Sequence, residues 1–336
     1  MFGPTKTQEH IVTVERSERW AVWRVRVMFA ATLLVFSEWV VWQQPLAFSA
    51  AQWLGWAVLY LALAALSLDL LVRFRANEPL SLLLLAGVYG LLDATLISHI
   101  TTRDLPVSLI VRPLAAQPLA FLGALAVLRW LLGGGRMRWG GVLIAALSGA
   151  AWGVWVRWLP RVSDIPLPAT DAPTAALGLG IAAAFLWALS RTMTLSVPRQ
   201  RHAWLLGELE WWAVGAVLVV ALGAGMRQGA LSGEGLSVAV GLAAFLLLVL
   251  ALTPLLRAEH TPLDALTPPR GLLGAGAWTL VASVFLAFGW VGFHQVGAHQ
   301  SNWLFGALTA FGALWPPTVS MAVGMQAIAV LSRREL

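Results

Sequence analysis

An acidic residue without a local partner, Asp93, is the first position in this sequence where chemistry is expected. It lies in the apolar run Gly-Leu-Leu-Asp93-Ala-Thr-Leu, and no basic residue lies within four positions of it. Because an isolated charge is costly in an apolar environment, this carboxyl must pair with another helix, carry a proton or face water. A proton-coupling site and a structural carboxyl that joins two helices are the two interpretations.

Glu38, in Ser37-Glu38-Trp39, is a second acid inside an apolar stretch. It lies between one and two helical turns from the end of that stretch, so its side chain could simply reach the membrane interface. The alternative is that Glu38 joins Asp93 as a coupling or gating group. That alternative requires the first and third apolar stretches to be neighbours.

Two other acidic positions have simple local explanations. Asp69 is followed four residues later by Arg73, and this spacing predicts an ion pair along one helix face. Glu208 and Glu210 open the seventh apolar stretch, where acidic side chains complement the dipole of a helix N-terminus.

A group of polar residues follows Asp93: His99, Arg103, Asp104 and Arg112. Two arginines in one loop suit the recognition of phosphate or carboxylate. The group could therefore engage a lipid-linked or quinone substrate on the extracytoplasmic side. The alternative is a wet loop in which Arg103 pairs with Asp104 and Arg112 contacts lipid head groups.

Trp315-Pro316-Pro317 interrupts the last apolar stretch. Each proline removes a backbone N–H donor, so the pair predicts a kink or a break in the helix. Free carbonyl groups at membrane depth persist only against protein or a wet cavity, and broken helices mark binding sites in many transporters. Pro316 and Pro317 are therefore candidates for lining a substrate path.

Ten apolar stretches must position these residues. The chain is 59% hydrophobic and 11% charged, with a mean hydropathy of +0.77, whereas a soluble protein carries about 25% charged residues. Lipid must therefore be the solvent for much of its surface, and about 20 apolar residues suffice for a helix to cross a bilayer. The stretches lie at about 26–43, 51–72, 80–99, 113–132, 139–159, 174–191, 208–227, 236–256, 271–293 and 303–331.

The lysines and arginines fall mainly in alternate gaps between these stretches. Of the 22 basic residues, 17 lie in the two termini and the even-numbered gaps with their flanking helix ends, and 5 lie in the odd-numbered gaps. Because short loops rich in Lys and Arg remain in the cytoplasm, both termini are predicted to be cytoplasmic. The expected fold is all-α, a polytopic integral membrane protein of about ten transmembrane helices in a bacterial-type inner membrane.

The expected organisation is a single transmembrane domain, residues 26–331, preceded by a cytoplasmic or interfacial segment, residues 1–25. Ten helices can divide as five plus five, which would give the inverted repeat that many transporters use. The two halves share no similarity at the level of residues, so this repeat rests on the helix count alone.

Composition excludes several kinds of chemistry. The absence of cysteine removes disulfides, thiolate nucleophiles and Cys-ligated metals, and no cofactor is predicted. The one lysine, Lys6, lies outside the apolar stretches, which excludes a retinal-type Schiff base. His294 and His299 are five residues apart and do not share a helical face, so no metal site is predicted. The net charge of +6 is dispersed among loops, which argues against binding to nucleic acid.

Two classes of function remain open. One is a permease for a small solute, proton-coupled through Asp93, with Glu38 as a second candidate coupling or gating group. The other is a non-transporting subunit of a membrane complex, or an enzyme or binding protein for a lipid-linked or quinone substrate. Anionic lipid head groups are the expected partners, together with other membrane subunits or further copies of the chain.

Overall fold

A computed structural model describes residues 6–42, 49–99, 105–132, 139–162, 171–193, 201–253, 275–295 and 298–332. Within these ranges the chain is helical and contains no β-strand. The eleven α-helices are α1 (Lys6–Leu34), α2 (Ala50–Arg73), α3 (Pro79–Leu96), α4 (Val107–Val111), α5 (Gln117–Leu132), α6 (Trp139–Val162), α7 (Ala172–Thr192), α8 (Glu208–Arg227), α9 (Gly233–Leu252), α10 (Ala275–Gln295) and α11 (Ala298–Ser332).

Two segments have the wider π-helical winding, and both continue an α-helix. The first, π1 (Val35–Trp42), extends α1, and the second, π2 (Arg112–Ala116), joins α4 to α5. Short polar side chains start several of the α-helices. Ser49 and Gln52 form a reciprocal cap on α2, and Asp171 accepts a hydrogen bond from the N–H of Thr174 at the start of α7.

Nine helical segments in the described part of the chain are long and apolar enough to cross a membrane. The predicted stretch at 139–159 corresponds to α6, whose described apolar portion, Val142–Arg157, is shorter. The prediction of an all-helical chain with many apolar helices is thus confirmed, with nine candidate spans where ten were expected. The predicted boundary after residue 25 falls inside a helix, because α1 runs without interruption from Lys6 to Leu34.

The core of the bundle is formed by the first helices of the chain. Helices α1, α2, α3 and α5 pack against one another, and more than half of the residues in the apolar part of each of these spans are buried. Helices α8, α9 and α11 pack around them. The later spans are mostly exposed and apolar, as expected of surfaces that lipid covers. In a five-plus-five repeat, α7 and α8 would correspond to α1 and α2, and α9 and α10 would correspond to α3 and α5. The described segments show no close packing between α7 and α8 or between α9 and α10. Helix packing therefore lends no support to a five-plus-five repeat.

Contacts between helix ends agree with successive spans that run in opposite directions through the bundle. At one end of the bundle, the Thr253 hydroxyl that follows α9 donates to the carbonyl of Phe74, which follows α2. At the opposite end, the Trp155 indole in α6 donates to the carbonyl of Val41 in π1, at 2.7 Å. The predicted Asp69–Arg73 ion pair is confirmed, with nitrogen–oxygen distances of 2.9 and 3.1 Å.

Helices α6, α7 and α10 form a second group at the side of this core, and α6 and α10 make its tightest contact. A Cβ atom at Gly153 would collide with the carbonyl oxygen of Gly289, and one at Gly149 with that of Phe285. Small residues at such an interface let two helix backbones approach closely where no hydrophobic effect drives them together. The group contacts π1 through α6 and α7.

Of the two outcomes predicted at Pro316 and Pro317, the break is not present, because α11 is continuous from Ala298 to Ser332. The kink stays a prediction. Pro316 is buried and Pro317 is exposed. The Thr318 hydroxyl donates to the carbonyls of Leu314 and Trp315, at 2.8 and 3.0 Å, and so binds the backbone locally. The prolines thus lie in an intact helix that packs against α4 and π2.

Candidate functional site

A cluster of buried polar side chains lies inside the core, and it contains both tyrosines of the chain. Its members come from π1, α2, α3, π2 and α5, and each is almost fully enclosed. We call it the polar cluster, and it consists of Ser37, Glu38, Tyr60, Tyr89, Asp93, Arg112 and Gln117.

The hydroxyl of Tyr60 bridges the two carboxyl groups of the polar cluster. Its oxygen lies 2.7 Å from Oε1 of Glu38 and 2.9 Å from Oδ1 of Asp93. Glu38 is only 6% exposed and Asp93 is completely buried, so neither carboxyl reaches an interface in this conformation. The first, second and third spans therefore meet through one phenol group.

A second arm of the cluster runs from Asp93 through Tyr89 to Gln117. The Tyr89 hydroxyl lies 3.4 Å from Oδ1 of Asp93 and 2.8 Å from the hydroxyl of Ser37. Ser37 in turn donates to the side-chain oxygen of Gln117 at 3.1 Å. The Tyr60 bridge between Glu38 and Asp93 is the first arm. Because Ser37 adjoins Glu38 in the chain, the two arms form a nearly continuous ring of hydroxyl and carboxyl groups.

Arg112 supplies the positive charge of the cluster. Its side chain is only 7% exposed, and its charge interacts with those of both Glu38 and Asp93. A buried ion requires a counter-ion because removal from water costs several kcal/mol. The charge of one guanidinium therefore acts on two carboxyl groups, and the formal charge of the three groups balances only if one carboxyl carries a proton.

Pro118, just after π2, changes the backbone hydrogen bonding of this segment. The N–H of Gln117 donates to the carbonyl of Arg112, five residues earlier, which is the π-helical pattern. Pro118 has no N–H, so the carbonyl of Leu114 loses the donor that an α-helix would supply. The indole N–H of Trp315 in α11 donates to that carbonyl instead. Gly90 allows π2 this position, because a Cβ there would collide with the carbonyl oxygen of Pro113.

We expect the replacement of Trp315 by phenylalanine to destabilise the protein by about 1–3 kcal/mol, the typical penalty for an unpaired buried polar group. Phenylalanine keeps an aromatic ring but cannot donate to the carbonyl of Leu114. Trp303→Phe is the matched control, because Trp303 is 81% exposed, and its effect should stay within about 0.5 kcal/mol. Thermal unfolding in detergent measures both. Equal effects of the two substitutions would show that the hydrogen bond to Leu114 is unimportant.

Two atoms of the polar cluster have unused hydrogen-bonding capacity. Oδ2 of Asp93 and Nε2 of Gln117 are buried and have no partner among the residues that the structure describes. Native proteins rarely leave such atoms unsatisfied without a water, a proton or a ligand nearby. The cluster can therefore accept one more small group or proton.

Three of the residues singled out from the sequence come together here: Glu38, Asp93 and Arg112. Helix α3 ends at Leu96, so Asp93 lies about one turn from its end. The hydrogen bonds of Asp93 to two tyrosines are compatible with both interpretations of this carboxyl, the coupling site and the structural link between helices.

The other predicted site residues lie elsewhere. His99 has a positive φ of 50°, contacts its own helix through the carbonyl of Thr95, and packs against Gly225 at the end of α8. Arg103 and Asp104 lie outside the described residues. His294 packs on Trp290, and no set of three potential metal ligands occurs in the part of the chain that the structure describes.

Sequence reasoning missed Tyr60, Tyr89 and Gln117. One signal was available for the tyrosines, because the chain has only two of them among 336 residues and both lie within apolar stretches. A buried tyrosine hydroxyl usually has a hydrogen-bond partner, and few polar groups exist in these stretches to serve. Gln117 carries no comparable signal.

Comparison of the chain with family models, curated proteins and solved structures gave no match.

Proposed function

We propose that the protein is a proton-coupled permease for a small solute, and that Glu38 and Asp93 carry the coupled proton. The observation that supports this proposal is the Tyr60 hydroxyl, which lies within hydrogen-bonding distance of both carboxyl groups. The proposal includes a bacterial-type inner membrane and cytoplasmic termini, which rest on the distribution of basic residues in the sequence.

The number of protons follows from the chemistry of the three groups. A phenol has a single proton, so Tyr60 can donate to only one of the two carboxyls at a time. The other carboxyl makes its hydrogen bond only by donating, which requires it to be protonated. One shared proton also balances the charge of Arg112 against Glu38 and Asp93. Loss of this proton would leave a net negative charge in a site closed to water, so its release must accompany binding of a cation or opening of the site.

The polar cluster is attached to a segment that a domain movement could displace. On π1, Ser37 and Glu38 enter the cluster, whereas Trp39 and Val40 pack against the group formed by α6, α7 and α10. A shift of this group against the core would therefore move the Glu38 backbone relative to Tyr60 and Asp93. π-Helical turns within α-helices are frequent at functional sites. We interpret the present conformation as the closed state of a transport cycle.

The test uses purified protein in proteoliposomes that contain a pH-sensitive dye. Small cationic, anionic and zwitterionic solutes are added in turn, and we expect at least one to change the internal pH with the wild-type protein. Asp93→Asn should abolish this signal, because an amide cannot take up and release the proton. Glu234→Gln, an exposed acid in the first turn of α9, is the matched control and should retain it. An unchanged solute-dependent signal in Asp93→Asn would refute the proposed role of this residue.

The alternative is a membrane subunit, enzyme or binding protein that holds a lipid-linked or quinone substrate. One observation favours it, an apolar groove of about 140 Å³ between π1, α5, α7 and α10. Trp130 and Trp278 stack at its wall, and Phe36 of π1 lines it beside the polar cluster. A lipophilic molecule retained by the purified protein, with no solute-dependent proton movement in the vesicles, would favour this alternative over the permease.

A further inference from the structure

A polar cavity lies at the end of the bundle opposite the polar cluster, between α1, the start of α8 and the short 3₁₀ turn Arg201–Trp204. Its volume is about 220 Å³, and its polar lining includes Glu18, Arg19, Arg26, His202, Gly207 and Glu210. This cavity is separate from the polar cluster and shares no residue with it.

Arg26 is the buried cation of this cavity. Its side chain is only 1% exposed, its Nη1 donates to Glu210 at 3.2 Å, and its Nη2 donates to the carbonyl of Trp204 at 3.1 Å. Its Nε is buried and has no partner in the described part of the chain. A guanidinium that lines a cavity and keeps one N–H unpaired has capacity for a further acceptor.

The anionic side chain nearest to Arg26 is already occupied. Glu210 accepts hydrogen bonds from the indole of Trp23 at 3.0 Å and from the backbone N–H of Gly207 at 3.1 Å, in addition to Arg26. Arg19 and His202 then remain as donors at the exposed rim, with Glu18 as the opposing acid.

The position of the cavity along the helices matches the level of lipid head groups. Trp20 and Trp212 are exposed next to it, on α1 and α8, and exposed tryptophans mark the boundary between hydrocarbon and water. A ligand at this level that suits arginine and imidazole donors is a phosphate ester.

We propose that this cavity binds a phosphate group, held by Arg26 inside and by Arg19 and His202 at the rim. The phosphate belongs either to a membrane lipid head group or to a small phosphate in solution. Glu18 opposes the binding of the anion by charge repulsion. The site does not depend on the proposed transport function.

Native mass spectrometry of the full-length protein with phosphatidylglycerol tests the proposal. We expect the double variant Arg19→Gln, His202→Gln to bind this lipid about tenfold more weakly, because two exposed donors are lost. Glu18→Gln should bind it more tightly, a result that a purely structural role would not produce. Arg24→Gln is the matched control, with the same charge change on the same helix outside the cavity.

The outcomes separate the possible sources of the phosphate. Retention of phosphatidylglycerol in the presence of millimolar inorganic phosphate would assign the site to lipid, and displacement would assign it to a soluble phosphate. Equal binding by the wild type and the double variant would overturn the proposal. An equal loss in Arg24→Gln would also overturn it, because binding would then depend on surface charge alone.

Discussion

Replacing Arg112 with glutamine is expected to destabilise the protein by about 3–5 kcal/mol, the usual penalty for leaving a buried charge uncompensated. Glu38 and Asp93 lie in the core with Arg112 as the cation whose charge acts on both. Without that cation, each carboxyl would have to remain protonated or the site would have to admit water. Either response reduces the free energy of unfolding, which denaturant titration in micelles can measure.

A second substitution distinguishes loss of charge from loss of packing. Glu38→Gln combined with Arg112→Gln removes a negative charge together with the positive one, and the double variant should recover a large part of the lost stability. Such rescue is the signature of coupled residues in a double-mutant cycle. Additive effects of the two substitutions on the free energy of unfolding would contradict an electrostatic interaction between Glu38 and Arg112.

Replacing Arg26 with glutamine is expected to have an effect of similar size, about 3–5 kcal/mol. Arg26 is enclosed between Glu210 and the carbonyl of Trp204, and it joins α1 to the start of α8. Its loss would leave the carboxylate of Glu210, whose side chain is only 27% exposed, with the weaker donors Trp23 and Gly207.

The control for Arg26 is again on the same helix. Arg24 is exposed, and surface substitutions of this kind usually change stability by less than about 0.5 kcal/mol. Thermal unfolding of Arg24→Gln and Arg26→Gln in the same detergent compares the two directly. A small effect at Arg26, equal to that at Arg24, would mean that α1 and α8 are held together by apolar packing without need of this ion pair.

Local spacing in the sequence was sufficient for some of these features. The Asp69–Arg73 pair could be predicted because residues four apart share one face of any helix. Asp93 and Glu38 stood out because charges are rare in apolar stretches. Proline chemistry alone was a poorer guide, since Pro316 and Pro317 lie in a continuous helix. The effect of proline on the backbone is clearer at Pro118. Its missing N–H leaves the carbonyl of Leu114 without a helical donor, and the indole of Trp315 donates to that carbonyl instead.

The sequence by itself determined that the chain forms apolar helices suited to a membrane, since hydrophobic length and periodicity are local properties. Only the tertiary structure decided which polar residues meet. Glu38, Tyr60, Asp93 and Arg112 come from four different segments, and nothing in their spacing relates one to another. Their meeting is set by the packing of apolar surfaces and by the close approach of π2 to Gly90, which are properties of the folded bundle. The same packing separates Arg112 from His99, which the sequence had placed in one group.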